Sequence, residues 1–276
     1  MRRFFLFLAV LTAFALAAAA WSYREATSDP VVRRAALTLP GLPAVAAPIR
    51  VVLLSDVHVG GPDMPVERLA RIVDQVNRLK PDLVLIAGDF ISDKRSGTRI
   101  YSYPEGMAPL RGLTPRLGTV AVLGNHDHWR NAAEARAGLA AAGVRVLDND
   151  AAAFGPLAVG GLDDAFTDHA DLPLTLARLR ALPGARILLS HSPDPFAALP
   201  PDVTLMLAGH THCGQISPPL IGPLTTQSDH GRRFACGIVR ERGKTLIVSA
   251  GLGTSILPLR LGAPPDLWLI ELRASR

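Results

Sequence analysis

Short, continuous apolar runs closed by a polar residue recur along this chain. They are IRVVLLSD at 49–56, DLVLIAGD at 82–89, TVAVLGNHD at 119–127, ARILLSH at 185–191 and VTLMLAGH at 203–210. A run that is apolar on both faces and too short for a helix predicts a strand buried on both sides. VRVLDND, PLAVGGLDD, KTLIVSAGLGT and LWLIEL predict further strands, the last two closing the fold. Between them the period changes. Leu69, Ile72, Val73, Val76 and Leu79 fall at helical spacing and Pro81 stops that helix. Asn131 to Ala142 and Leu172 to Leu182 predict two more helices. The stretch 92–118 is irregular, and a loop of that length inside a compact domain tends to be functional. Some strands alternate with helices and others run together, which predicts sheet layers with helices outside. No internal repeat is present. One domain is expected over 49–276, preceded by a linker at 22–48 holding one edge strand.

The first 21 residues follow a different pattern. Arg2 and Arg3 precede an apolar run from Phe4 to Trp21, broken by Thr12. Roughly 18 residues just span a bilayer, and the same shape serves as a signal peptide, for which Ala18 to Ala20 offer a cleavage site. The retained transmembrane anchor is the favoured reading. Arg2 and Arg3 would stay cytoplasmic and the remainder would lie outside. Residues 2–6, R-R-x-F-L, also resemble a twin-arginine export signal.

Composition adds little beyond exclusions. Hydrophobic residues make up 49%, ample for a core, and the net charge of +5 is scattered arginine without like-charged runs. That argues against a nucleic-acid-binding tail and is compatible with an anionic substrate or membrane surface. Cys213 and Cys236 form neither a disulfide framework nor a CxxC zinc motif. In an exported domain they could pair, worth about 3 kcal/mol.

The chemistry lies where the strands end. Asp56 and His58 close the first buried run, Asp89 the second, and Asn125, His126 and Asp127 the third; His191 closes the fourth, and His210 and His212 the fifth. Strand carboxyl ends line one edge of an α/β sheet, where ligands bind. Each residue alone is ordinary turn chemistry; five polar strand ends together point to a common ligand. Imidazole, carboxylate and amide oxygen suit Mn, Fe, Ni or Zn better than Ca or Mg. Asp56, His58, Asp89, Asn125, His191, His210 and His212 make seven donors, which fit two ions sharing a carboxylate. Asp56 and His58, two apart on an extended segment, would project to the same side.

SDVHVG, GDF, GNHD, SHSPD and GHTH, in this order, resemble the calcineurin-like metallophosphoesterase superfamily over nearly all of 49–272. GHTHCGQI and SAGLGTSILPLRLGAPPDLWLIEL are similar to its membrane-associated bacterial branch, the YaeI- and YkuE-like phosphodiesterases. That branch has glycine where Cys213 stands and glutamate where Asp266 stands. The resemblance implies an α/β/β/α sandwich of two mixed sheets flanked by helices, with the metal site at the strand carboxyl ends. It also implies one metal site at Asp56, His58 and His212 and another at Asn125, His191 and His210, bridged by Asp89. Such a pair would hold a hydroxide and clamp the phosphoryl oxygens. His126 is the expected general acid with Asp127 orienting its ring. His128 and His230 read as rim or surface residues and His169 as surface. Substrate contacts are sought among Tyr101, Tyr103, Arg95, Arg99, Trp129, Arg130, Arg232 and Arg233, with Arg130, Tyr101 and Arg232 in front.

The expected protein is a monomeric, membrane-tethered or exported hydrolase of a phosphodiester or pyrophosphate bond in a lipid-linked or envelope substrate, on the outer side of a bacterial membrane. A nuclease or cyclic-nucleotide phosphodiesterase shares the metal core, but no basic stripe with aromatics supports nucleic-acid binding. A non-catalytic scaffold would have lost ligands, and none is missing.

Overall fold

Each of the five buried apolar runs folds as a strand, and the strands form two stacked sheets. The computed structural model describes residues 1–44 and 47–274. One sheet holds β1 (Val31–Thr38), β2 (Ile49–Leu54), β3 (Leu83–Ala87), β4 (Thr119–Val122), β5 (Val144–Val146) and β12 (Asp266–Arg273), in the order β1-β12-β2-β3-β4-β5. The other holds β6 (Asp150–Phe154), β7 (Leu157–Gly161), β8 (Ala185–Leu189), β9 (Leu205–Ala208), β10 (Gly237–Glu241) and β11 (Lys244–Val248), in the order β10-β11-β9-β8-β7-β6. β2 to β5 are mutually parallel, as are β7, β8, β9 and β11; β12 runs antiparallel to β2, β6 to β7 and β10 to β11.

Why the runs are apolar on both faces is visible in the packing. Val51 and Leu53 face the second sheet, alongside Leu85, Val122, Ile187 and Leu207. Val52 and Leu54 face outward onto Leu69, Ile72 and Val76 of α2 (Val66–Arg78). α3 (Tyr103–Met107) and α4 (Asn125–Ala141) complete that layer. Beneath the second sheet, Leu176 and Leu179 of α5 (Leu172–Arg180) meet Leu188 and Met206. The fold is the α/β/β/α sandwich of two mixed sheets that the resemblance implies.

Two expectations change. Much of 22–48 is part of the fold rather than a linker: β1 pairs in parallel with β12, and Leu39 and Leu42 are buried between the sheets. Residues 45 and 46 of that stretch lie outside the described residues. The alanine- and arginine-rich sequence of β1 hides its burial, which is only half-deep because the strand lies at the edge. Second, α4 begins at Asn125 rather than Asn131, where the helix kinks at φ −175° and ψ 94°. Asn125, His126 and Asp127 therefore occupy a first helical turn.

The N-terminal apolar run folds as α1 (Arg2–Ala26), long and apolar enough to cross a membrane and exposed from residue 1 to Trp21. Its last turns are docked, with Ser22 and Ala26 buried.

Candidate metal centre

The carboxyl ends of β2, β3, β4, β8 and β9 open onto one cluster. Asp89 Oδ2 lies 3.5 Å from His58 Nε2 and 3.3 Å from His191 Nε2. On one side, His58 Nε2 faces His212 Nε2 at 3.2 Å, and His212 Nε2 is 3.5 Å from Asp56 Oδ1. On the other, His191 Nε2 is 3.0 Å from both Asn125 Oδ1 and His210 Nδ1. All seven residues picked from the strand ends thus meet in one place. They are almost fully buried.

The backbone achieves this by turning left-handed. Asp56, His58, Asp89, His210 and His212 all have φ between 46° and 71°. Non-glycine residues adopt this region at a cost of about 1 kcal/mol or more each. Asp56 and His58 are therefore not on an extended segment, and their convergence comes from these turns rather than from strand alternation. Glycines permit the close approach. A Cβ on Gly209 would stand 2.5 Å from Asp56 Oδ2, and one on Gly88 2.8 Å from His191 Nδ1.

Three of the four rings in the cluster are neutral. His191 Nδ1 is 2.7 Å from the Ala87 carbonyl, which can only accept, so that nitrogen donates there and Nε2 is the one that faces the cluster. There it meets Asp89 Oδ2, the Asn125 amide oxygen and His210 Nδ1. Burial opposes charge on His191, but the Asp89 carboxylate holds its pKa well above the usual histidine value. Burial likewise opposes charge on Asp89, whose pKa is nonetheless held well below the carboxylate range, chiefly by His191. Burial pushes His58 and His212 far down and His210 to about 3, so these rings stay neutral. His58 Nδ1 and His210 Nε2 have no hydrogen-bond partner among the described residues. Three neutral imidazoles, the His191 ring beside Asp89, an amide oxygen and two carboxylates converging on one place are a donor set that fits divalent cations. Three triads, Asp56–His58–His212, Asp56–Asp89–His191 and His58–Asp89–His126, each bring ligand atoms within 4.8 Å of one another.

His126 sits at the rim, its ring edge-on to His58 at 4.9 Å. Its Nδ1 pairs with Asp93 at 2.7 Å, not with Asp127. Burial lowers its pKa, but the Asp93 hydrogen bond and Asp89 outweigh this and the net shift is upward. Asp127, at the third position of α4, points back instead. It accepts the N–H groups of Gly124, Asp89 and Phe90 and the hydroxyl of Tyr103, at 2.9–3.0 Å. It ties the ends of β3 and β4 together. Asp127→Ala should therefore cost about 3 kcal/mol or more of folding free energy, read as a lower urea midpoint.

The expected substrate contacts fall elsewhere. Tyr101 is buried under the Arg99 guanidinium, and Arg130 donates to the Ser92 and Tyr101 carbonyls and lies over Tyr103. Both hold the 92–118 segment together. Arg232 is exposed on the turn Gly231–Phe234. None of the three lines the cleft, a cavity of about 440 Å³ above the cluster. Its walls are instead Trp129, Phe166, Ile216, Leu224, Ile256 and Leu257, with His126 and Gln227 among the polar groups. His128 pairs with Asp163 and stacks on His169, and His230 packs on Phe234.

Sequence reasoning misses Asp93, Phe166 and Arg260. Phe166 packs against the His210 ring at 4.7 Å. Arg260 is fully buried, donating to the carbonyls of Ala250, Gly253 and Ala263, with Nη2 3.3 Å from His212 Nδ1. Cys213 and Cys236 are joined in a disulfide, which fastens the turn after His212 to the approach of β10.

Comparison with known proteins matches residues 49–214, a span holding all seven clustered residues, to the family described as calcineurin-like phosphoesterase. The chain is 32% identical to the uncharacterized metallophosphoesterase YkuE of Bacillus subtilis, over 82% of this chain and 79% of that one. It is also 32% identical to a Danio rerio transmembrane protein with metallophosphoesterase domain, over 90% of this chain, and spans 59% of that protein's length. A Campylobacter jejuni uncharacterized metallophosphoesterase aligns with 99% of the chain and 70% of its own length at 29% identity.

Proposed function

Because the chain belongs to the calcineurin-like phosphoesterase family, a family of metal-dependent phosphoester hydrolases, we propose that it is a membrane-tethered, dinuclear phosphodiesterase or pyrophosphatase with a lipid-linked substrate. One observation carries the dinuclear part. A single carboxylate, Asp89, stands within 3.5 Å of imidazoles from two separate donor sets. Asp56, His58 and His212 would hold one ion, Asn125, His191 and His210 the other, and Asp89 both. Divalent ions held there would supply Lewis-acid polarisation of the phosphoryl oxygens and acidify water.

The chain's own residues do the rest. His126, clamped through Nδ1 by Asp93, turns Nε2 to the cleft, with Ser255 Oγ at 3.5 Å. From there it donates a proton to the leaving oxygen as the P–O bond breaks. The apolar walls exclude water and favour a substituent on the phosphate over a bare monoester. Asp93→Asn keeps the size of the side chain and removes its charge; it should lower kcat about tenfold with bound metal unchanged.

Two features support placing the domain on the side of the membrane opposite Arg2 and Arg3. The positive residues precede the apolar span, and the Cys213–Cys236 disulfide suits an oxidising compartment. The deciding experiment uses the full chain in detergent, stripped of metal and re-supplied with Mn²⁺. Rates are compared on bis-p-nitrophenyl phosphate and p-nitrophenyl phosphate. Faster diester cleavage is expected; a preference for the monoester would overturn the phosphodiesterase reading.

A further inference from the structure

The apolar wall of the cleft and the end of α1 share one piece of chain. Ser22 accepts the Arg260 N–H at 3.0 Å, Glu25 accepts the Gly262 N–H at 3.3 Å, and Tyr23 Oη donates to the Pro62 carbonyl at 3.5 Å. Residues 260–262 thus carry the last turns of α1. Immediately before them, Ile256 and Leu257 line the cleft and still expose most or half of their surface. The 215–224 loop is bonded to the same segment, Ser217 N–H to the Leu261 carbonyl at 2.7 Å and Leu261 N–H to the Gln215 carbonyl at 3.0 Å. Its tip presents Leu220, fully exposed, with Ile221 and Leu224.

Five large aliphatic side chains therefore stand in water around the mouth of the cleft, on two loops hydrogen-bonded to each other. Trp21, exposed in the last turns of α1, directly precedes Ser22, whose carbonyl accepts the Arg260 N–H. Soluble surfaces rarely gather such residues without a partner. Their position identifies the partner. The bare flank of α1 runs straight into the segment that bears them, so what covers one continues onto the other. Basic groups flank the patch. Arg24 lies on α1; Arg95 adjoins Ser96, whose hydroxyl donates to the Ile256 carbonyl at 3.3 Å; and Nη1 of Arg232 would stand 3.6 Å from a Cβ on Gly222. That arrangement suits a surface with anionic headgroups.

We propose that Leu220, Ile221, Leu224, Ile256 and Leu257 form a second membrane contact that lays the mouth of the cleft on the lipid surface. This rests on the reading of α1 as membrane-embedded. The consequence for substrate class is direct. An amphiphile can bring its phosphoester to the histidine cluster along the apolar wall while its hydrocarbon chains stay in the bilayer.

The test uses the full chain reconstituted in vesicles of equal parts phosphatidylcholine and phosphatidylglycerol. Nitroxide labels are placed, without reductant, at Leu220→Cys and Ile256→Cys, with Arg78→Cys at the far end of the sheet as control. The first two labels should become accessible to oxygen and shielded from an aqueous nickel chelate, while the control stays aqueous. Labels at 220 and 256 as open to the chelate as the control would overturn the proposal. The labelling needs no turnover, so it reads the contact whether or not the phosphodiesterase reading holds. A second arm compares the double variant L220D/I221D with wild type on the p-nitrophenyl ester of phosphatidic acid in those vesicles and on bis-p-nitrophenyl phosphate in solution. A loss of about tenfold or more, the partitioning of one leucine-sized side chain, confined to the vesicle substrate supports the contact. Equal rates on both substrates relative to wild type would sink it.

Discussion

Asp89→Asn is expected to lose turnover by about 10³-fold or more together with most of the bound metal. The substitution is small. Asparagine keeps an oxygen that can accept the His126 N–H, now bonded to Asp89 Oδ1 at 2.9 Å. What it removes is the charged oxygen between His58 and His191, and it puts a donor amide there instead. The fold should survive, since the Asp89 N–H is held by Asp127 whatever the side chain is. Metal content by atomic emission and kcat on a diester should therefore fall together while the urea midpoint changes little. Full activity in this variant would sink the dinuclear reading.

His126→Asn should separate the proton from the metal. Turnover is expected to drop about 10²–10⁴-fold, with metal occupancy near that of the wild type, because His126 lies at the rim with its Nδ1 on Asp93. The leaving group provides the diagnostic. A p-nitrophenolate departs without a proton, so its ester should lose far less than an alkyl ester, whose alkoxide needs one. Equal losses on both esters would show that His126 does something other than donate a proton. The Asp93→Asn variant should reproduce this leaving-group dependence in weaker form.

The ligand cluster is legible in the sequence because each of its residues lies within a few positions of the end of a buried apolar run. A polar side chain there is fixed by the strand before it, so a one-dimensional pattern reports a three-dimensional convergence. Asp93 carries no such mark. It lies in the irregular stretch after Asp89, where no period says which way a side chain points. Asp127 misleads for the opposite reason. Its place beside His126 in the chain suggests a partner, but in the first turn of a helix neighbouring side chains diverge by about 100°, and the free N–H groups of the turn claim the carboxylate. β1 is visible only as one edge strand in an apparent linker. Its half-buried Val32, Ala35 and Leu37, with exposed Arg33 and Arg34 between them, give no alternation strong enough to read. The cleft walls at 214–227 and 255–257 have no period at all, and their apolar residues become informative only once the loops are folded over the cluster.

The pairing of β1 and β2 on either side of β12 sets the order in which the molecule can be completed. Residues 31–38 and 49–54 leave synthesis early, yet both wait for 266–273 before either gains that neighbour. Until then β1 has no partner among the described strands and β2 is an edge, and joining the two through β12 pays the entropy of closing a long loop. An intermediate lacking only this strand has β2, the strand that carries Asp56 and His58, at an unprotected edge. The loop of Asp56 and His58 is therefore framed by strands on both sides only once β12 has paired.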